Sequence, residues 1–203
     1  MEKISRKERE RLMHRNEILQ AAEKCFAAKG FSSTTMAEIA EAAEFSVGAL
    51  YQFFQSKEEI YISLLTEKLQ RWTGEVEKAL EAEKNPVEKI KSVGRKFCEV
   101  LKENEQFFRI LTFEVRTSLD PRSVPPASVK EFHERHIGLM ERVFAEGIKK
   151  KVFRKMPTRL MAMLFLDMLH FCAGSWLFGI HHGPVEEYFN FALEVFLHGV
   201  TQK

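Results

Sequence analysis

Side chains able to do covalent chemistry are few and scattered along this 203-residue chain. Cys25, Cys98 and Cys172 are odd in number and far apart, with no CxxC pair, so a reducing compartment fits them better than a disulfide framework. No Ser-His-Asp set, glycine-rich phosphate loop or carboxylate pair stands out, and Cys25 sits within an apolar helix face, unsuited to nucleophilic attack. His133 and His136 share a helix face beside Arg135 but lack further ligands and the HExxH order, so they read as surface histidines. Asp167 and His170, three apart, read as a pair joined to each other or across a dimer. The expectation is a protein that is not an enzyme, with no catalytic residue, no metal and no cofactor.

The chemistry that the spacing does support is recognition. Residues 33–57, STTMAEIAEAAEFSVGALYQFFQSK, contain two short amphipathic segments separated by the break Glu44-Phe45-Ser46. Two such segments form a helix-turn-helix, whose second helix enters the major groove of DNA. Leu50, Phe53 and Phe54 make the inner face of that second helix; Val47, Gly48, Ala49, Tyr51 and Gln52 face the groove. The net charge of +2 is too small to imply nucleic acid, so charge placement has to carry that inference. Lys3, Arg6, Lys7, Arg9, Arg11 and Arg15 outnumber the acidic residues of the N-terminal arm, which can then lie along phosphates.

Helices must position these residues, and helices fill the chain. Apolar residues recur at helical spacing along residues 7–29, with Gly30 as the stop. Thr35 with Glu38 and Ser56 with Glu59 are capping-box pairs, opening helices at about 36–43 and 57–83; Ser46 caps a helix over about 47–54 between them. Asn85-Pro86 starts a helix to about Lys102, followed by others over about 104–117, from Ser128 to about Lys151, over 157–178 and over 185–200, with a Pro-rich loop at 118–128. The fold class is all-α, with about nine helices: a three-helix N-terminal domain at 1–57 and a larger helical domain at 58–203. Leu160–Ile180 approaches the length of a membrane span, but Asp167 and His170 at its middle favour a buried interface helix, and no secretory signal is visible in the first fifteen residues. A cytoplasmic protein without a membrane partner is expected.

Residues 14–65 resemble the DNA-binding domain of the TetR family of bacterial repressors, through FAAKGF at the end of the first helix, TTMAEIAEAA, SVGALYQFF and SKEEIY. The resemblance implies that Thr35 caps its helix and bonds a phosphate, that Ser46, Gly48, Tyr51 and Lys57 contact the DNA backbone, and that Val47, Ala49 and Gln52 face base edges. Arg11, Arg15 and Thr34 complete the candidate contacts. Two positions depart from the family pattern. Glu44 stands where glycine is usual, and a left-handed backbone there would cost about 1 kcal/mol; Phe53 replaces the frequent His or Tyr.

The same resemblance implies a C-terminal ligand pocket and a four-helix dimer interface built from the last two helices. Eighteen phenylalanines, most after residue 90, fit either a dense core or an apolar cavity. The pocket candidates are Trp72, Phe97, Phe107, Phe108, Leu111, Met140, Phe144 and Trp176, a set whose character points to a small apolar or aromatic effector. Met161, Phe165, Met168, Phe189, Leu193 and Phe196 are the candidate dimer-interface residues, being more apolar surface than one helix pair normally buries. The reading is a dimeric repressor released from a palindromic double-stranded DNA operator by its effector. An architectural DNA-binding protein with a protein partner and no small-molecule effector is the alternative.

Overall fold

A computed structural model describes residues 5–109 and 127–201. Among them are eight helices: α1 (Arg6–Lys29), α2 (Met36–Ala42), α3 (Val47–Leu50), α4 (Lys57–Ala82), α5 (Pro86–Glu103), α6 (Ala127–Lys149), α7 (Thr158–Leu177) and α8 (Val185–Val200). Residues 105–109 are also helical. The only β-pairing among the described residues is an isolated bridge between Phe153 and Thr201.

Local chemistry accounts for most of these boundaries. Thr35 and Glu38 make the expected reciprocal capping box of α2, and Ser5 with Glu8 makes another at α1 that the sequence reading missed. Gly30 ends α1 at φ 81°, a conformation glycine adopts without steric penalty. Asn85 caps α5 with Pro86 in the first turn. At α4, Ser56 accepts from Glu59 N–H while the Glu59 carboxylate reaches back to the amide of Gln55, one residue earlier than expected.

The described residues fall into two compact units, divided between Lys68 and Leu69 inside α4, with residues 106–109 belonging to the first. That division lies further along the chain than Lys57 because Ile60 and Leu64 pack into the core of the first unit with Ile18, Leu19, Ala22, Phe26, Ile39, Leu50 and Phe54. In the second unit α5 packs on α6, α7 and α8, and α7 packs on both α6 and α8. Gly147 is required there: a Cβ would lie 2.0 Å from the Phe153 ring, which is buried against Phe144. Although α7 is long and apolar enough to cross a membrane, Met161, Ala162, Phe165, Leu166, Leu169, Cys172 and Ala173 bury one face of it in this core.

Candidate DNA-binding and effector sites

The turn between α2 and α3 positions the candidate DNA-reading residues. Phe45 N–H donates to Ala40 O at 2.9 Å, and Glu44 takes φ 60°, the left-handed conformation anticipated for that position. Ser46 Oγ accepts from Ala49 N–H and starts α3. Regular α-helix ends at Leu50, earlier than expected, but tight turns continue as Gln52 N–H donates to Ala49 O and Phe54 N–H to Leu50 O. Leu50 and Phe54 anchor this segment in the core, while Phe53 meets Phe45 and His14 edge-on.

That anchoring leaves Ser46, Val47, Gly48, Tyr51 and Gln52 exposed, with Ala49 half-buried. At Gly48 an added Cβ would meet no protein atom within 4 Å, so packing inside the chain does not call for a glycine. Thr35 and Arg11 are exposed as well. Three expected contacts are engaged inside the protein instead. Thr34 is buried, its hydroxyl donating to Gly30 O at 2.8 Å. Arg15 pairs with Glu67 and lies 5.1 Å from the Phe54 ring centroid. Lys57 turns its ammonium inward to Phe31 O and Thr34 O, both at 2.8 Å, fastening the loop before α2.

The expected pocket residues separate into different surroundings. Phe144 is core, packed with Phe153, Phe165 and Phe196, and Met140 is buried. Phe107 and Phe108 touch each other within the first unit; Trp176 is half-buried; Leu111 lies outside the described residues. Trp72 and Phe97 join a group the sequence reading overlooked. Centroid contacts run from Trp72 to His136 at 6.4 Å, Phe132 at 4.0 Å, His133 at 5.6 Å and His170 at 5.7 Å, then to Phe97 at 5.9 Å and back to Trp72 at 5.4 Å. Six rings from α4, α5, α6 and α7 thus close a circuit.

His136 is buried rather than a surface residue, and its Nδ1 lies 2.9 Å from Phe132 O. Burial pushes its pKa down to about 4, with the Phe132 carbonyl opposing that shift. The surrounding protein also lowers His133, against the Asp167 carboxylate, and takes His170 to about 4, helped by His133 and His136, although both residues keep exposed surface. Within the chain, the Asp167 carboxylate acts on His133 rather than on His170. The signal was present in the i, i+3 and i+4 spacing of Phe132, His133 and His136, but single-chain periodicity does not say which face of α6 is covered.

The candidate interface residues are also corrected. Met161, Phe165, Phe189, Leu193 and Phe196 are buried within their own chain, and Met168 is half-buried. The apolar side chains left outside are one helical step away: Leu160, Leu164 and Phe171 on α7 and Phe191 and Val195 on α8, each more than half exposed. A separate half-open groove of about 470 Å³ between α5, α7 and α8 is lined by Gly94, Cys98, Leu169, Phe189 and Leu193; Lys102 and Glu186 pair at its rim.

A helix-turn-helix with an exposed second segment, joined to a larger all-α unit, defines a DNA-binding transcriptional regulator. Residues 18–64 match the family of bacterial regulatory proteins, tetR family. Over those residues the chain is similar to the DNA-binding domain of the TetR family. The fatty acid metabolism regulator protein of Bacillus subtilis (strain 168) is 22% identical over 189 residues, spanning 92% of this chain and 95% of that protein. The crystal structure of a transcriptional regulator FadR from Bacillus subtilis in complex with stearoyl-CoA superposes with a TM-score of 0.76 at 21% identity, covering 91% of this chain and 98% of the other. The ketosteroid transcriptional regulator KstR2 of Mycobacterium tuberculosis has a TM-score of 0.74 at 23% identity, covering 93% and 95% respectively. These likenesses establish the fold.

Proposed function

We propose that this regulator is a cytoplasmic homodimeric repressor, released from a palindromic operator by an apolar effector. The observation that carries the DNA reading is the outward face of α3. Val47 and Tyr51 remain 41% and 46% exposed although Leu50 and Phe54 on the same segment are fully buried, and Gly48 has open space where a side chain would stand. Val47, Ala49 and Gln52 read base edges; Ser46, Gly48 and Tyr51 approach phosphates with Thr35 and the α4 N-terminus. Arg11 adds a phosphate contact from the arm, whereas Arg15 and Lys57 brace the domain from within.

Residues 1–57 serve as the DNA-binding domain and 58–203 as the effector-binding and dimerisation domain. The dimer forms through α7 and α8, whose exposed Leu160, Leu164, Phe171, Phe191 and Val195 fit an isologous contact with a second copy. An apolar effector is supported by the aromatic circuit of the second unit and by the acyl and steroid chemistry named for the relatives. The effector acts by preferring a conformation of the dimer that fits DNA poorly, and α4, continuous from Lys57 to Ala82, is the element that couples the two events.

Selection of bound duplexes from a random library by the purified chain tests this. The expected result is an inverted repeat with half-sites about one helical turn, ~34 Å, apart. Failure to enrich any sequence at low salt rejects the repressor reading. Added long-chain acyl-CoA is expected to weaken the selected complex; binding without release rejects the coupling and leaves the DNA reading intact.

A further inference from the structure

Among the described residues, the six-ring circuit holds one buried side-chain polar atom with no hydrogen-bond partner in the protein. His136 is 3% exposed, and its Nε2 is buried with nothing to bond. The Phe132 carbonyl 2.9 Å from Nδ1 can only accept, so it fixes the ring proton on Nδ1 and leaves a lone pair on Nε2. Such an orphaned buried acceptor is destabilising, by more than a typical hydrogen bond contributes, until a donor reaches it.

Its surroundings describe that donor. Trp72 stacks on His136 within 7° of parallel, Phe132 lies against it, and Phe97 closes the circuit, so the bulk of the site is apolar. His133 and His170 present open surface beside these rings, so the circuit has an edge that a ligand can reach, and the surrounding protein holds both toward the neutral form. The charges that reach His136 from neighbouring side chains are Arg135 and Glu77, bonded to each other at 2.6 Å, and the carboxylate felt by His133 is Asp167. A carboxylate-bearing ligand would bring a second acceptor, and a negative charge, to this lone pair.

We infer that the effector presents a neutral hydrogen-bond donor, a hydroxyl or an amide N–H, to His136 Nε2 while its hydrocarbon lies against Trp72, Phe97 and Phe132. This rests on the apolar-effector reading above and names the polar group that reading leaves open. Fatty alcohols and hydroxylated or amide-containing acyl compounds fit; a bare fatty-acid anion does not.

Calorimetric titration of the full chain with 1-dodecanol, dodecyl methyl ether and dodecanoate tests it, because the ether keeps the chain and oxygen but has no donor. The alcohol is expected to bind at least roughly tenfold more tightly than the ether or the anion, the size of one well-placed hydrogen bond. In His136→Phe that preference is expected to shrink to within about twofold. Equal affinities in the wild type, or a preference that survives His136→Phe, overturn the inference and show that a trapped water satisfies Nε2; no binding of any of the three overturns the apolar-effector reading as well. Should His136→Phe not fold, the ¹⁵N spectrum of histidine-labelled wild type decides, with His136 Nε2 expected to move on adding the alcohol and to stay on adding the ether.

Discussion

At the scale of single residues, the DNA face separates side chains that read sequence from those that hold position. Gln52→Ala is expected to weaken operator binding by about 1–3 kcal/mol and to relax the preferred base opposite it. Tyr51→Phe removes only a hydroxyl, so its loss should be smaller and similar on every duplex; anisotropy titrations on the selected operator and on a scrambled one separate the two. Buried His136 makes stability depend on pH in a definite direction. His136 titrates at about 4 in the fold against an ordinary value of 6.5, so between those pH values the unfolded chain holds the extra proton. Stability is therefore complete above pH 6.5 and is lost as pH falls toward 4, on the order of 3 kcal/mol for this one group. Urea titrations at pH 7 and pH 5 should show about 2 kcal/mol of that loss, and His136→Phe should reduce it; an unchanged slope in the variant would assign the effect elsewhere.

At the scale of elements, the α2–α3 turn carries one residue whose backbone opposes its side chain. Glu44 at φ 60° is left-handed, and Glu44→Gly is expected to raise unfolding stability by about 1 kcal/mol without altering the exposed face of α3. Thr35→Ala acts the other way. It removes the hydroxyl that accepts from Glu38 N–H and donates to the Glu38 carboxylate, and should cost about 1 kcal/mol in chemical denaturation. The Glu38 carboxyl, held down to about 2 by Lys29 and Thr35, should rise toward its ordinary value when Thr35 is replaced, visible by NMR titration. Arg15 and Lys57 illustrate the same division of labour within elements: Arg15 forms a surface ion pair with Glu67, while Lys57 turns inward to the carbonyls of Phe31 and Thr34.

At the scale of the whole molecule, the proposed dimer rests on large apolar side chains left outside on α7 and α8, such as Phe171 at 69% exposure and Phe191 at 64%. Phe171→Glu is expected to convert the proposed dimer to monomer in sedimentation velocity while leaving the helical circular dichroism unchanged. Operator binding should fall far more than in any single base-contact variant, because two half-sites are then bound independently. Phe165→Ala, by contrast, opens a cavity among Phe144 and Phe196 and should lower stability by about 3–5 kcal/mol. The two variants distinguish the outer face of α7 from its inner one.

Much of this protein is written locally. Gly30, Thr35 with Glu38, Ser46, and Asn85-Pro86 fix helix ends through hydrogen bonds spanning two to four residues, so type and spacing alone locate α1, α2, α3 and α5, whereas the left-handed turn at Glu44 was implied by the family resemblance. The exposed face of α3 was legible for the same reason, because Leu50 and Phe54 dictate which side turns inward. Facing is harder where a helix is apolar nearly all round. On α7, Met161 and Phe165 could not be told from Leu160 and Leu164 until α6 and α8 covered one side, and His136 looked like a surface residue until Trp72 and Phe132 closed over it. Those outcomes depend on contacts between residues tens of positions apart, which a period of 3.6 residues does not encode; only packing decides them.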